Sequence, residues 1–253
     1  MRPEYPLMTI LHLLSIKEVA AVALTSENRN ESRVVFGFSC LEQLVKMGPR
    51  RFVSLLDGPC EDAAVQLSIL VTDQDLGDLL DSFSARRLGF AVLRGPDGDG
   101  RRNLVTLRDV LKLYENGSIR TDAVAEDVAS PIFSMRGSAT IREALQAMFE
   151  RHCSRVFVSD SGCYVSDRTM IESILSPVAL DGLRDEPAKD PLLTPIGELW
   201  SVAPIPIDPR AGLREATTVL RRQRGDCLTL DGSVVTPWDL VVKPWLSGRL
   251  AIG

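Results

Sequence analysis

The sequence predicts an α/β (α+β) chain made of four βαββα repeats, and three regularities of spacing point there. The first is a helical period used four times. Leu7, Ile10, Leu11 and Leu14 fall at i, i+3, i+4 and i+7, which puts them on one face of a helix. Leu76, Leu79, Leu80 and Phe83 repeat the pattern, as do Ile141, Ala144, Leu145 and Met148, and then Leu213, Ala216, Thr217 and Leu220. The second regularity is a constant offset. Fifteen residues after the first member of each set stand Val22, Ala91, Val156 and Leu228, each inside a strand-like run: EVAAVAL, GFAVL, RVFV and CLTL. The third is punctuation, because each run leads into a polar turn (SENRNES, RGPDGDG, SDSG or DG) of the kind that closes hairpins. Self-similarity at a fixed offset marks a repeat architecture.

The elements follow in order. Thr140 and Glu143 have the S/T-x-x-E spacing that satisfies orphan amides at a helix start. After each turn comes a second strand, ending at FGFSCLE, NLVTLRD, YVSDRT or VVTPWD, and then a further helix such as Leu107 to Tyr114. Lead-in segments separate the repeats. Residues 57–74 carry Gly58-Pro59 and a strand, SILVT; residues 116–139 carry a strand near Ile132–Met135; and residues 177–208, rich in Pro and Asp, end in a strand around Ala203–Ile207.

Composition fits this class. Of the 253 residues, 45% are hydrophobic but only 6% aromatic, as in cores built on Val, Ile and Leu. The net charge of −5, with both signs mixed along the chain, argues against a nucleic-acid partner, which needs a basic surface. No apolar run approaches the roughly 20 residues of a membrane span. The N-terminus lacks a small-residue cleavage site after its apolar stretch, so a signal peptide is not expected. Five scattered cysteines with no CxxC pair point to a reduced, cytoplasmic protein.

The residues also carry a family resemblance. A lead-in such as VAEDVASPIFSMRGSATIREAL, a central strand such as RVFVSD, and a second strand closing in G-h-h-T/S-x-x-D are similar to the cystathionine-β-synthase-type motif, the CBS domain. The match is strongest in the third repeat, in LGFAVLRGPDGDGRRNLVTLRDVL of the second and in SVVTPWDLV of the fourth. The first repeat is the most divergent. Together the four cover nearly the whole chain and resemble the γ subunits of AMP-activated protein kinase and compact prokaryotic four-motif proteins. The resemblance implies two pseudo-two-fold Bateman modules, residues 1–117 (motifs at about 1–56 and 65–117) and 118–253 (motifs at about 122–176 and 195–253). It further implies a disc-like stack with ligand clefts between motifs.

The closing T/S-x-x-D supports a definite chemistry. A helix start binds anions through its unpaired N–H groups and dipole, and a hydroxyl there joins the phosphate shell. A carboxylate one turn on can accept both hydroxyls of a ribose, the use the family makes of it. The second repeat keeps Thr106 and Asp109, with Arg108 between them as a phosphate partner. The fourth keeps Thr236 and Asp239, with Pro237 suited to a first helical turn. The third has Ser166 and Arg168 but Thr169 in place of the acid; the first has Ser39 and Glu42. By alignment with the family, main chain near Val71, Thr72, Phe90 and Ala91 would hold the base in repeat two, and near Ile205, Asp226 and Cys227 in repeat four. The same spacing also caps a helix with no ligand, contributing about 1 kcal/mol.

Other chemistries find less support. His12 falls among core-type positions of the first helix, and His152-Cys153 has no third ligand at metal spacing. RGPDGDGRR occupies a hairpin slot, and no P-loop, GxGxxG or nucleophile elbow occurs. The expectation is a non-catalytic regulator that binds AMP, ADP, ATP or another adenosyl ligand, with no metal and no covalent cofactor. Trp200, Trp238 and Trp245 are expected on module faces, where a protein partner or a second copy docks. The alternative is a ligand-independent interaction scaffold.

Overall fold

The computed structural model describes residues 1–16, 19, 21–24, 31–47, 51–68, 75–94, 102–185, 190–223 and 226–252. The four apolar sets become four helices that begin where the period begins. Repeat one runs α1 (Leu7–Ile16), β1 (Ala21–Ala23), β2 (Glu31–Phe36), α2 (Gly37–Met47). It is followed by α3 (Phe52–Asp57), a 3-10 turn at Cys60–Ala63 and β3 (Val65–Ser68). Repeat two is α4 (Leu76–Arg86), β4 (Phe90–Arg94), β5 (Arg102–Thr106) and α5 (Leu107–Glu115). Its lead-out holds β6 (Ile119–Thr121), α6 (Ala125–Val128), β7 (Ser130–Pro131) and β8 (Ser134–Met135).

Repeat three is α7 (Ile141–Arg151), β9 (Arg155–Val158), β10 (Tyr164–Ser166) and α8 (Asp167–Ile174). Then come α9 (Pro177–Asp185), 3-10 turns at Pro191–Leu193 and Ile196–Glu198, and β11 (Ile205–Pro206). Repeat four is α10 (Leu213–Arg222), β12 (Leu228–Leu230), β13 (Ser233–Val235) and α11 (Pro237–Leu246), and β14 (Leu250–Ile252) ends the fold. Val22, Ala91, Val156 and Leu228 all lie in strands, so the fifteen-residue offset is structural.

Pairing repeats as well. Each central strand forms an antiparallel hairpin with the next: β1 with β2, β4 with β5, β9 with β10, β12 with β13. Lead-in strands add in parallel in repeats three and four, where Ser134 faces Phe157 and Ile205 faces Leu228. The strand expected at SILVT falls largely on residues outside the described set; β3, just before it, pairs back on β2. Two pairings join lead-outs to repeat four: β7 extends β13, and β14 pairs with β6.

The helix faces pack by one rule applied twice. The chain divides into two compact units, residues 1–69 with 133–203, and residues 70–132 with 204–253. In the first, α2 packs on α7 and α8, and α1 on α8. In the second, α5 packs on α10 and α11, and α4 on α11. Each unit has its own core. Leu7, Ile10, Leu11, Ile141, Leu145 and Met148 are fully buried in one; Leu80, Phe83, Ala216, Leu228 and Leu240 are fully buried in the other. Each fully buried Leu contributes roughly 1.5–3 kcal/mol of transfer free energy. The units therefore join repeat one to three and repeat two to four, and they do not coincide with the sequential halves 1–117 and 118–253.

Thr140 caps α7 as its spacing requires: its Oγ1 accepts the Glu143 amide at 3.2 Å, and its own amide donates to Glu143 Oε2 at 2.8 Å. Two expectations need correction. His12 is exposed, because it lies on the solvent side of α1 between the buried Leu11 and Leu14. Of the tryptophans only Trp200 stands out, at 71% exposure. Trp238 and Trp245 pack against the second core, and Trp245 Nε1 donates to Asp81 Oδ1 at 2.7 Å. An indole with its N–H satisfied against a core is a packing residue.

Candidate functional site

The candidate residues lie where a hairpin's second strand turns into its closing helix. That junction recurs because the strand pairs in a fixed register: Thr106 faces Phe90, Ser166 faces Arg155, and Phe36 faces Ala21. Each of these is an N-cap in extended conformation or the last strand residue before a helix, so first-turn amides without intrahelical partners gather around it; Ser166 Oγ accepts the Thr169 amide at 3.3 Å and Thr236 Oγ1 the Asp239 amide at 3.4 Å.

In repeat two, Asp109 Oδ2 accepts from the Thr106 amide at 3.0 Å and from Thr106 Oγ1 at 2.8 Å. Its other oxygen accepts from Lys112 Nζ at 2.7 Å. Burial raises the Asp109 carboxyl, but the hydrogen bonds from Lys112 and Thr106 outweigh it and hold the group below the ordinary aspartate value of 3.8. The side chain is still 42% exposed. Arg108 is ion-paired with Asp226 from repeat four, so two expected ligand residues meet within the second unit.

The fourth repeat uses the same residues differently. Asp239 is 2% exposed. Its Oδ2 accepts from the Thr236 amide at 2.8 Å and Thr236 Oγ1 at 2.7 Å, while Oδ1 accepts from Ser130 Oγ at 2.8 Å and Lys243 Nζ at 2.9 Å. Lys243 also donates to the carbonyls of Val128 at 2.6 Å and Ala129 at 3.1 Å. With four donors on two oxygens, this carboxylate has little acceptor capacity left for a ribose.

In repeat three Thr169 substitutes for the acid. Its hydroxyl accepts the Ser166 amide at 2.8 Å and donates to the Ser166 carbonyl at 3.0 Å, and both residues are buried. Arg168 Nε donates to Glu172 at 3.1 Å. Sequence reasoning missed Arg155, whose Nε is buried without a partner among the described residues, directly across the ladder from Ser166. Its position one residue before the apolar VFV, shared with no other repeat, was the available signal.

Repeat one corrects the alignment. Ser39 is one turn inside the junction, with Phe36 in the capping position. The Ser39 hydroxyl accepts the Phe36 amide at 3.2 Å and donates to its carbonyl at 2.9 Å, the role Thr169 has in repeat three. Glu42 instead pairs with Lys46 at 2.8 Å. A β-carbon at Gly37 would stand 3.2 Å from Asp167 Oδ2, so a carboxylate of the protein already lies beside this helix start.

Of the remaining expected residues, Phe90 and Ala91 are buried in β4, Cys227 is buried just ahead of β12, and Ile205 is partly buried in β11. Val71 and Thr72, like most of RGPDGDGRR, lie outside the described residues. His152 occupies a left-handed C-cap (φ 52°) ending α7. No group of three metal-ligating side chains occurs among the described residues, and no described helix is long and apolar enough to cross a membrane.

No protein-family model matches the sequence, and no curated protein is similar to it at the sequence level. Solved structures are similar. A Methanocaldococcus jannaschii protein, MJ1225, proposed as an archaeal homologue of γ-AMPK, superposes with a TM-score of 0.81 at 13% identity, over 95% of this chain and 94% of that one. A conserved protein from Pyrococcus horikoshii gives 0.54 at 11% identity, over 88% and 89%. A CBS-pair protein from Arabidopsis thaliana, CBSX2, matches 51% of this chain and 99% of its own at 18% identity, with a TM-score of 0.37. Four strand-to-helix junctions on one recurrent unit, with the end-to-end match to MJ1225, define the architecture: the chain has the fold of the tandem CBS-domain proteins.

Proposed function

We propose that the chain is a non-catalytic regulatory module that binds an adenine nucleotide at the junction of repeat two and signals to a separate partner. The observation that carries this reading is one turn of chain, Thr106 to Asp109. It holds a hydroxyl, a guanidinium and a half-exposed carboxylate at the start of a nine-residue helix. The helix start and Arg108 favour phosphate, and Asp109, with three donors already on it, keeps one acceptor position for a ribose hydroxyl. The AMP complex of the CBS-pair protein CBSX2 names a ligand of suitable chemistry. In this reading repeat four, which packs on repeat two in the second unit, serves as wall.

Calorimetry with AMP, ADP, ATP, adenosine and S-adenosylmethionine tests it. The expected result is a phosphate-dependent affinity that falls at least about 10-fold in Asp109→Ala, the loss of one or two charge-assisted bonds. Asp239→Asn is expected to change it less than about 3-fold. An absent response in the wild type, or an unchanged one in Asp109→Ala, rejects the reading. A partner whose binding ignores nucleotide would favour the scaffold alternative, for which the saturated Asp239 and the exposed Trp200 speak.

A further inference from the structure

A cavity of about 280 Å³ opens in the first unit, and no residue of a strand-to-helix junction lines it. Two glycines let the segments that line it come together. A β-carbon at Gly197 would stand 3.0 Å from the Gly137 carbonyl oxygen, and one at Gly137 would stand 2.9 Å from Asp160 Oδ2. The Gly197 amide donates to the Gly137 carbonyl at 2.9 Å, so the two backbones are in contact and neither position accepts a side chain. Val158 and Ile196 underlie it with almost no exposed surface, and its open rim is formed by Asp160 and Ser161, both exposed, and by the partly buried Ser201.

Its polar groups are few and fixed. Asp160 Oδ2 accepts from the Gly137 amide at 2.9 Å and Oδ1 accepts from Ser159 Oγ at 3.1 Å, which orients the carboxylate and leaves each oxygen a lone pair. Asp160 is the one charged residue in the lining, and no cation pairs with it among the described residues. Ser161 and Ser201 add hydroxyls, with Ser161 Oγ held by the Cys163 amide at 3.3 Å.

We propose that this pocket binds a small organic cation, an ammonium or guanidinium group on a short aliphatic stem. The head meets Asp160, with the hydroxyls of Ser161 and Ser201 in the same lining. The volume is below the roughly 300–1,000 Å³ of drug-sized sites and fits a group the size of a side chain. Neither the nucleotide nor its junction enters this argument.

Amide NMR of the full chain, titrated with agmatine, n-butylammonium, neutral n-butanol and the peptide Gly-Arg-Gly, tests it. Saturable shifts at Gly137, Ser161 and Gly197 are expected with the cations, and binding at least about 10-fold weaker with butanol. Asp160→Asn, which keeps an oxygen for the Gly137 amide, is expected to weaken agmatine by a similar factor; Ser201→Phe, which fills the cavity, should abolish it. A peptide that binds as well as agmatine identifies a partner's side chain as the source, and agmatine alone identifies a free amine. No saturable shift with either cation, an equal response to butanol, or full affinity in both variants overturns the proposal.

Discussion

Asp239→Ala should destabilise the protein far more than Asp109→Ala, although both remove the carboxylate of the same motif. At Asp239 the substitution deletes an acceptor of four hydrogen bonds in a side chain only 3% exposed. It leaves the Thr236 amide, the Thr236 and Ser130 hydroxyls and the Lys243 ammonium to find other partners. Breaking a buried ion pair from one side costs about 3–5 kcal/mol. Lys243 keeps the Val128 and Ala129 carbonyls and Ser130, which brings the expectation to the low end, about 3 kcal/mol. At Asp109 the Lys112 pair is exposed and worth little, so mainly the cap is lost, about 1 kcal/mol. Urea denaturation monitored by far-UV circular dichroism measures both. Equal losses, or a loss below about 1 kcal/mol for Asp239→Ala, would refute the claim that burial separates the two sites.

Further outcomes follow from single residues. Thr217 is fully buried with its hydroxyl unpartnered among the described residues, so Thr217→Val should stabilise by about 1 kcal/mol; a loss of stability would mean that the hydroxyl is bonded. The folded Asp109 carboxyl lies below its unfolded value, so its contribution is complete above that value and is lost as pH falls through the folded one. The stability gap between wild type and Asp109→Asn should therefore persist at pH 7 and close below pH 3.8, as measured by thermal unfolding against pH. Burial pushes the Cys40 thiol up to about 12, against a lowering hydrogen bond with Ser39. Iodoacetamide at pH 8 should alkylate the partly exposed Cys163 at least about 10-fold faster than Cys40, read by peptide mass spectrometry; comparable rates would contradict the burial of Cys40.

Spacing carried the repeat because helical period and helix-to-strand distance are local properties. Leu7, Leu76, Ile141 and Leu213 open their helices because each begins a stripe that must be covered. What escaped the sequence was decided by neighbours distant in the chain. Nothing local distinguishes Asp109 from Asp239; the difference comes from Ser130, 109 residues before Asp239. In repeat one a serine three residues from Phe36 reads as the capping hydroxyl, yet the ladder pairs Phe36 with Ala21 and moves the junction back by one turn. Helices α6 and α9 lie in segments read as lead-ins, since short helices there depend on packing more than on pattern. The pairing of repeat one with three follows from helix faces that any of the four apolar stripes would satisfy.

The alternation of the two units along the chain has a consequence for synthesis. The chain passes from one unit to the other after residues 69, 132 and 203. While the ribosome is making the second stretch, the apolar face of α1 and α2 has no partner helices. At roughly 5–20 residues per second, that face waits on the order of ten seconds until α7 and α8 emerge. The second repeat then waits in its turn for the last stretch. A cut near residue 117 would divide both cores, so neither half would inherit an intact one. The nascent protein therefore spends much of its translation with unpaired helix pairs, and a chaperone that shields such faces has two successive opportunities to bind.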